Sequence, residues 1–190
     1  MQYLSISGFP IVEPEDAHPE VADLYDKVKQ EIDQPTVPNW AKVAANSPGS
    51  LDIYLNMLRA FNRNISLPQT IVPIILYSIA TARNCTYCST INELSCRTLG
   101  VDEKTLELLA NDLDNVSPQR LRVIIQFALK CALDPQGLTA PDYERVREQG
   151  INDDELTQII FLAALANFND ALADSLKIDP EPGVMEALGR

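Results

Sequence analysis

The chain predicts an all-α fold, and three observations carry that expectation. Helix-start signals recur along it, each followed by apolar residues spaced three and four apart. No segment shows the strict apolar–polar alternation of a half-buried strand. No low-complexity stretch or internal repeat breaks the pattern. With 190 residues, 46% hydrophobic and 22% charged, the composition is that of a globular protein long enough for a sizeable core. The expected organisation is an N-terminal arm over 1–16, one all-α domain over 17–178 and a tail over 179–190.

The helices are expected in this order. His18-Pro19 opens the first, to about Ile32, with Pro in the first helical position, where its missing N–H costs nothing. Pro35 and Pro38 punctuate the next connection. Ser47-Pro48 opens a helix whose Leu51, Tyr54, Leu55, Leu58 and Phe61 form one stripe. Ser66-Leu67-Pro68-Gln69 predicts a capping box ahead of an apolar helix over 70–82, with Pro73 in its first two turns. The segment from Cys85 to Leu99 predicts the next helix, closed by Gly100. Asp102 caps a short one. Ser117-Pro118 starts a helix carrying Leu121, Ile124, Ile125, Ala128 and Leu129. Thr139 caps the segment to Gln149, and Asn152-Asp153-Asp154-Glu155 begins a long helix to about Lys177.

Charge narrows the function. The formal net charge of -12 argues against a nucleic-acid partner, whose phosphates require a basic face. The acidity serves solubility. No uninterrupted apolar run reaches the ~18 residues of a membrane span. MQYLSISGFPIVEPED lacks the basic and apolar regions of a signal peptide. A cytoplasmic location is therefore expected, and there four cysteines point to catalysis or metal binding rather than to a disulfide scaffold.

The dithiol Cys85-Thr86-Tyr87-Cys88 stands out. No Asp or Glu occurs from Ile53 through Asn92, where the charged residues are Arg59, Arg63 and Arg83. Positive neighbours and a helix start favour the thiolate, the attacking form of cysteine. Residues three apart on a helix have Cα atoms about 5–5.5 Å apart, within disulfide reach. Tyr87 points away and lines an access path or packs. Cys96 lies about 12 Å along the axis from Cys88 and cannot bridge it. Cys96 and Cys131 are expected as small buried hydrophobes. No second CxxC or His pair exists to complete a metal site. Asn92 and Glu93 flank Cys88 one turn on, as orienting groups or as ordinary hydrogen-bonding and Arg-paired side chains. Asn167, Asp170 and Asp174 form a polar stripe on an apolar helix, and an acid there needs a partner or a wet cavity. Subunit contact, capping or a role at the dithiol each fits.

Taken together, these residues resemble the AhpD-like (carboxymuconolactone decarboxylase) family, in its alkylhydroperoxidase-related branch. The resemblance runs from about Pro19 to Leu176. It is carried by Arg83-Asn84-Cys85-Thr86-Tyr87-Cys88 as the "CxYC" dithiol, Asn46-Ser47-Pro48-Gly49-Ser50-Leu51, Leu67-Pro68, Gly100-Val101-Asp102, Ser117-Pro118-Gln119-Arg120 and Ala166-Asn167-Phe168-Asn169. It implies an all-α helical bundle without a cofactor, assembled as a homo-oligomer. It also implies that Cys88 attacks a hydroperoxide, that Cys85 closes a disulfide, and that a thiol reductant reopens it. The family's proton relay, a Glu after the Leu-Pro pair and a His after the dithiol, is replaced here by Pro73 and Asn92. The sole histidine is His18. A dithiol peroxidase or thiol–disulfide oxidoreductase is thus the leading expectation. A relay-deficient binding, assembly or redox-sensing module comes second, and a carboxymuconolactone-type decarboxylase third.

Overall fold

Side-chain caps at Ser47, Asp102, Thr139 and Asn152 mark helix starts. The computed structural model describes residues 2–3 and 8–190, and the chain is all-α as expected. In order, α1 spans Pro19–Ile32, α2 Asn39–Ala44, α3 Pro48–Asn64, α4 Ile71–Ala82 and α5 Thr86–Thr98. They are followed by α6 Glu103–Asn111, α7 Gln119–Leu133, α8 Ala140–Arg147, α9 Asp153–Leu176 and α10 Pro182–Ala187. A two-residue antiparallel pair precedes them, β1 (Gln2–Tyr3) with β2 (Pro10–Ile11). Strands this short show no alternation to read.

Ser47 accepts the Ser50 N–H, Asp102 accepts the Thr105 N–H at 2.9 Å, and Thr139 forms a reciprocal box with Asp142. Asn152 and Glu155 exchange side-chain-to-backbone bonds of 3.0 Å at the head of α9. The box expected at Ser66 does not form. The Ser66 hydroxyl donates to Asp154 at 3.0 Å and its N–H to Gln158 at 2.8 Å, so long-range partners on α9 take the groups that would have capped α4. α4 starts later, after a turn in which the Ile71 N–H reaches the Pro68 carbonyl. Pro73 is then the third residue of the helix, where a missing N–H forfeits no intrahelical bond.

The chain forms two compact units. One comprises Met1–Ile65 with Ala173–Glu181, the other Ser66–Leu172 with Pro182–Arg190. In the first, Val21, Leu24, Tyr25 and Val28 of α1 pack with Val37, Ala41, Leu51 and Leu55. The Tyr25 hydroxyl donates to the Val12 carbonyl at 2.7 Å, and the Trp40 and Tyr54 rings lie 4.5 Å apart. His18 is exposed at the head of α1.

In the second unit, α4 is apolar nearly all round and packs against α5, α6 and α7. α7 buries Val123, Ile124, Ile125, Phe127, Ala128, Cys131 and Ala132, whereas Leu121 and Leu129 of the expected stripe are only half-buried. α9 is long and apolar enough to cross a membrane by length and composition. Leu156, Ile159, Leu162, Ala163 and Ala166 are buried along it, while Ile160, Phe161, Phe168 and Leu172 are exposed.

The stripe on α3 sets a stability contrast. Leu55 is fully buried, whereas Ile53, two residues away, is 71% exposed. Leu55→Ala should destabilise by about 3 kcal/mol and Ile53→Ala by less than about 0.5 kcal/mol, read from urea unfolding.

Candidate active site

The dithiol is placed by the way α4 ends. Asn84 adopts φ 59°, the left-handed conformation that asparagine tolerates better than most residues. Its N–H bonds to the Thr81 carbonyl at 3.0 Å, and the Cys85 N–H bonds to the Ala80 carbonyl at 2.9 Å. These bonds satisfy the last carbonyls of α4 and turn the chain within three residues. Cys85 is therefore both the closing residue of α4 and the N-cap of α5. Cys88 falls in the first turn of α5, on the face that looks back to Cys85.

Both thiols are buried, Cys85 at 0% and Cys88 at 8% exposure, and both are free. The third member of the site comes from α9. Asp170 is 1% exposed, and a carboxylate oxygen and the two sulfurs all lie within 4.8 Å of one another. The Cys85 thiol also faces the Asp170 backbone carbonyl at 4.0 Å. Arg83, at the end of α4, completes the arrangement with its Nε 3.3 Å from Asp170 Oδ2.

This geometry reverses the expectation of a ready thiolate. The Cys88 thiol is pushed up from its ordinary value. The causes are, in order, its hydrogen bond with Cys85, its burial, and the charges of Cys85 and Asp170. The stretch around the dithiol lacks carboxylates in sequence but not in space. Arg83, expected to favour the thiolate, instead sets its guanidinium against Asp170. These surroundings favour the protonated Cys88 thiol over the thiolate.

The other residues expected at the site have different roles. Asn92 donates its amide to the Cys88 carbonyl at 2.8 Å, a bond one turn back along α5. Tyr87 is buried. Glu93 is 6% exposed and is gripped by Arg97 at 3.0 Å and by Arg190 at 2.9 Å. Nothing in the sequence pairs residue 190 with α5. On α9, Asn167 donates to the Ala132 carbonyl at 2.8 Å, Asp170 joins the dithiol, and Asp174 is exposed.

The donor atoms of Cys85, Cys88 and Asp170 are close enough to share one ion. Arg83 already supplies positive charge at this carboxylate, and a second cation would sit against it. The trio is better matched to thiol chemistry than to a metal.

Comparison with solved structures decides the fold. The chain superposes on an uncharacterized peroxidase-related protein from Ralstonia eutropha JMP134, described as an alkylhydroperoxidase AhpD core. The TM-score is 0.81 and the identity 19%, with 93% of each chain covered. The chain has the AhpD-like fold. A peroxidase-related protein from Silicibacter sp. TM1040 matches with a TM-score of 0.80 and 20% identity over 97% of each chain. The debrominase Bmp8 shares the AhpD-like fold at a TM-score of 0.74 and 13% identity, over 90% of this chain and 91% of its own. A cysteine-to-alanine variant of Bmp8 matches in complex with 2,3,4-tribromopyrrole. No protein-family model and no curated protein sequence matches the chain.

The remaining cysteines give a pH test. Burial first, and the Glu93 charge second, push the fully buried Cys96 from 9.0 to about 12. The folded protein thus binds this proton more tightly than the unfolded chain. Its contribution to stability is complete below pH 9 and is lost as pH rises through about 12. Urea midpoints should fall from pH 8 to pH 10.5, and Cys96→Ala should flatten that fall.

Proposed function

We propose that the chain is a dithiol peroxidase that reduces a small hydroperoxide. The Cys88 sulfur attacks the terminal peroxide oxygen, the O–O bond breaks, and an alcohol and a Cys88 sulfenic acid result. Cys85 then attacks Cys88, forming the Cys85–Cys88 disulfide and releasing water. The dithiol loses two electrons and the peroxide gains them. A thiol reductant, a partner protein or a small thiol, reopens the disulfide by exchange.

The observation that carries this reading is the pair of free thiols enclosed with a carboxylate at the α4–α5 turn. Cys88 is the more exposed of the two, which suits it to meet substrate while Cys85 resolves. The AhpD-like fold, shared with peroxidase-related proteins, supports the same reading. It is also the fold of a debrominase, and a dithiol delivers the two electrons that replacing an aryl halogen by hydrogen requires. A brominated pyrrole is therefore the control substrate.

Self-association belongs to this proposal. Ile160, Phe161 and Phe168 of α9 are exposed apolar side chains of the kind a second copy covers.

The test is consumption of hydrogen peroxide and an alkyl hydroperoxide in the presence of a dithiol reductant. Wild type should turn over and Cys88→Ser should not. Cys85→Ser should complete one oxidation and leave a sulfenic acid that dimedone traps. Wild type no faster than buffer, with both thiols reduced, would instead favour a non-catalytic or redox-sensing module. Bromide release without peroxide consumption would favour dehalogenation.

A further inference from the structure

We infer that Asp170 is the proton carrier of this site: its carboxylate takes the Cys88 thiol proton as the sulfur attacks and returns it to the departing oxygen. The inference rests on the peroxidase reading above and assigns a catalytic residue to it.

The need for a carrier follows from the chemistry. Sulfur attacks as the thiolate, yet the Cys88 thiol is held protonated by its surroundings. The departing alkoxide is a strong base and must leave protonated. The positions where the family resemblance places a relay hold Pro73, which has no side-chain proton, and Asn92, whose amide is bound to the Cys88 carbonyl. The enclosed site must therefore move the proton by another group.

Asp170 has the required placement. It is 1% exposed, and its carboxylate lies within 4.8 Å of both sulfurs. Its charge is one of the causes that push the Cys88 thiol up. Facing it are Arg83 from the end of α4 and Cys85 and Cys88 from the start of α5. Arg83 lies 3.3 Å from the carboxylate and offsets its charge in an otherwise apolar setting. A carboxylate buried for packing alone would lower stability. One held against two thiols has a task.

The steps balance. The Cys88 proton passes to Asp170, the S–O bond forms and the O–O bond breaks. The proton then passes from the Asp170 carboxylic acid to the alkoxide, giving an alcohol and the Cys88 sulfenic acid. In the second step the Cys85 proton takes the same route to the departing hydroxide, giving water as the S–S bond forms. Asp170 ends as it began.

The test is the single-turnover rate of Cys88 oxidation by hydrogen peroxide in prereduced wild type, Asp170→Asn and Asp170→Glu. Loss of the carrier should slow Asp170→Asn by about 10²-fold at pH 7, and Asp170→Glu should recover part of the rate. A purely electrostatic Asp170 predicts the opposite sign. Removing its charge would ease thiolate formation and speed the reaction, so an unchanged or faster Asp170→Asn overturns the inference. If Asp170→Asn does not fold, the wild-type rate in D2O decides: a slowed rate supports a proton in flight, and an unslowed one contradicts it. Wild type inert to peroxide overturns the peroxidase reading and this role with it. Reactive wild type with fast Asp170→Asn overturns the role alone.

Discussion

A buried carboxylate held against one guanidinium organises the second unit of this protein. Asp170 lies among the buried residues of α9 and is almost wholly removed from water. Ionised carboxylates are not buried in such settings without a cation or hydrogen-bond donors. Arg83 supplies the cation, and the two thiols lie within 4.8 Å of the carboxylate. The end of α4, the start of α5 and the middle of α9 are thereby held around one small polar centre. Its electrostatics follow from that count of charges. With one guanidinium already set against one carboxylate, a Cys88 thiolate would be an uncompensated second negative charge.

The backbone performs the other half of the placement. The left-handed Asn84 lets α4 end and α5 begin around the shared residue Cys85. The two sulfurs then approach as residues three apart on a helix do. At its other end α5 closes with Gly100 at φ 85°, where the Val101 N–H bonds back to the Cys96 carbonyl at 3.0 Å. The dithiol helix thus begins at a tight turn and closes on a left-handed glycine. Glu93, with Arg97 and Arg190, ties α5 to the C-terminal residue on another flank.

Much of this was legible in the residues themselves. Pro19, Ser47, Asp102, Thr139 and Asn152 mark helix starts because their signals are local and the structure leaves them undisturbed. Ser66 failed as a cap because partners on α9, far along the chain, claimed it. The dithiol was legible from its spacing, but its protonation was not. No carboxylate occurs from Ile53 through Asn92 along the sequence, whereas Coulomb's law acts in space, where Asp170 is beside the dithiol. The signal for Asp170 was present: an acid on an apolar helix requires a partner, and Arg83 is the cation beside the dithiol. No pattern in the sequence joins the two.

The central claim is that Cys88 rests as a thiol whose proton must be carried away when it reacts. Thiolate absorbance at 240 nm tests it directly, as the difference between wild type and Cys88→Ser titrated upward from pH 6. The account predicts no Cys88 thiolate signal at pH 7 and its appearance only well above pH 9. A full Cys88 thiolate signal at neutral pH would contradict the account and return the site to a simple activated cysteine.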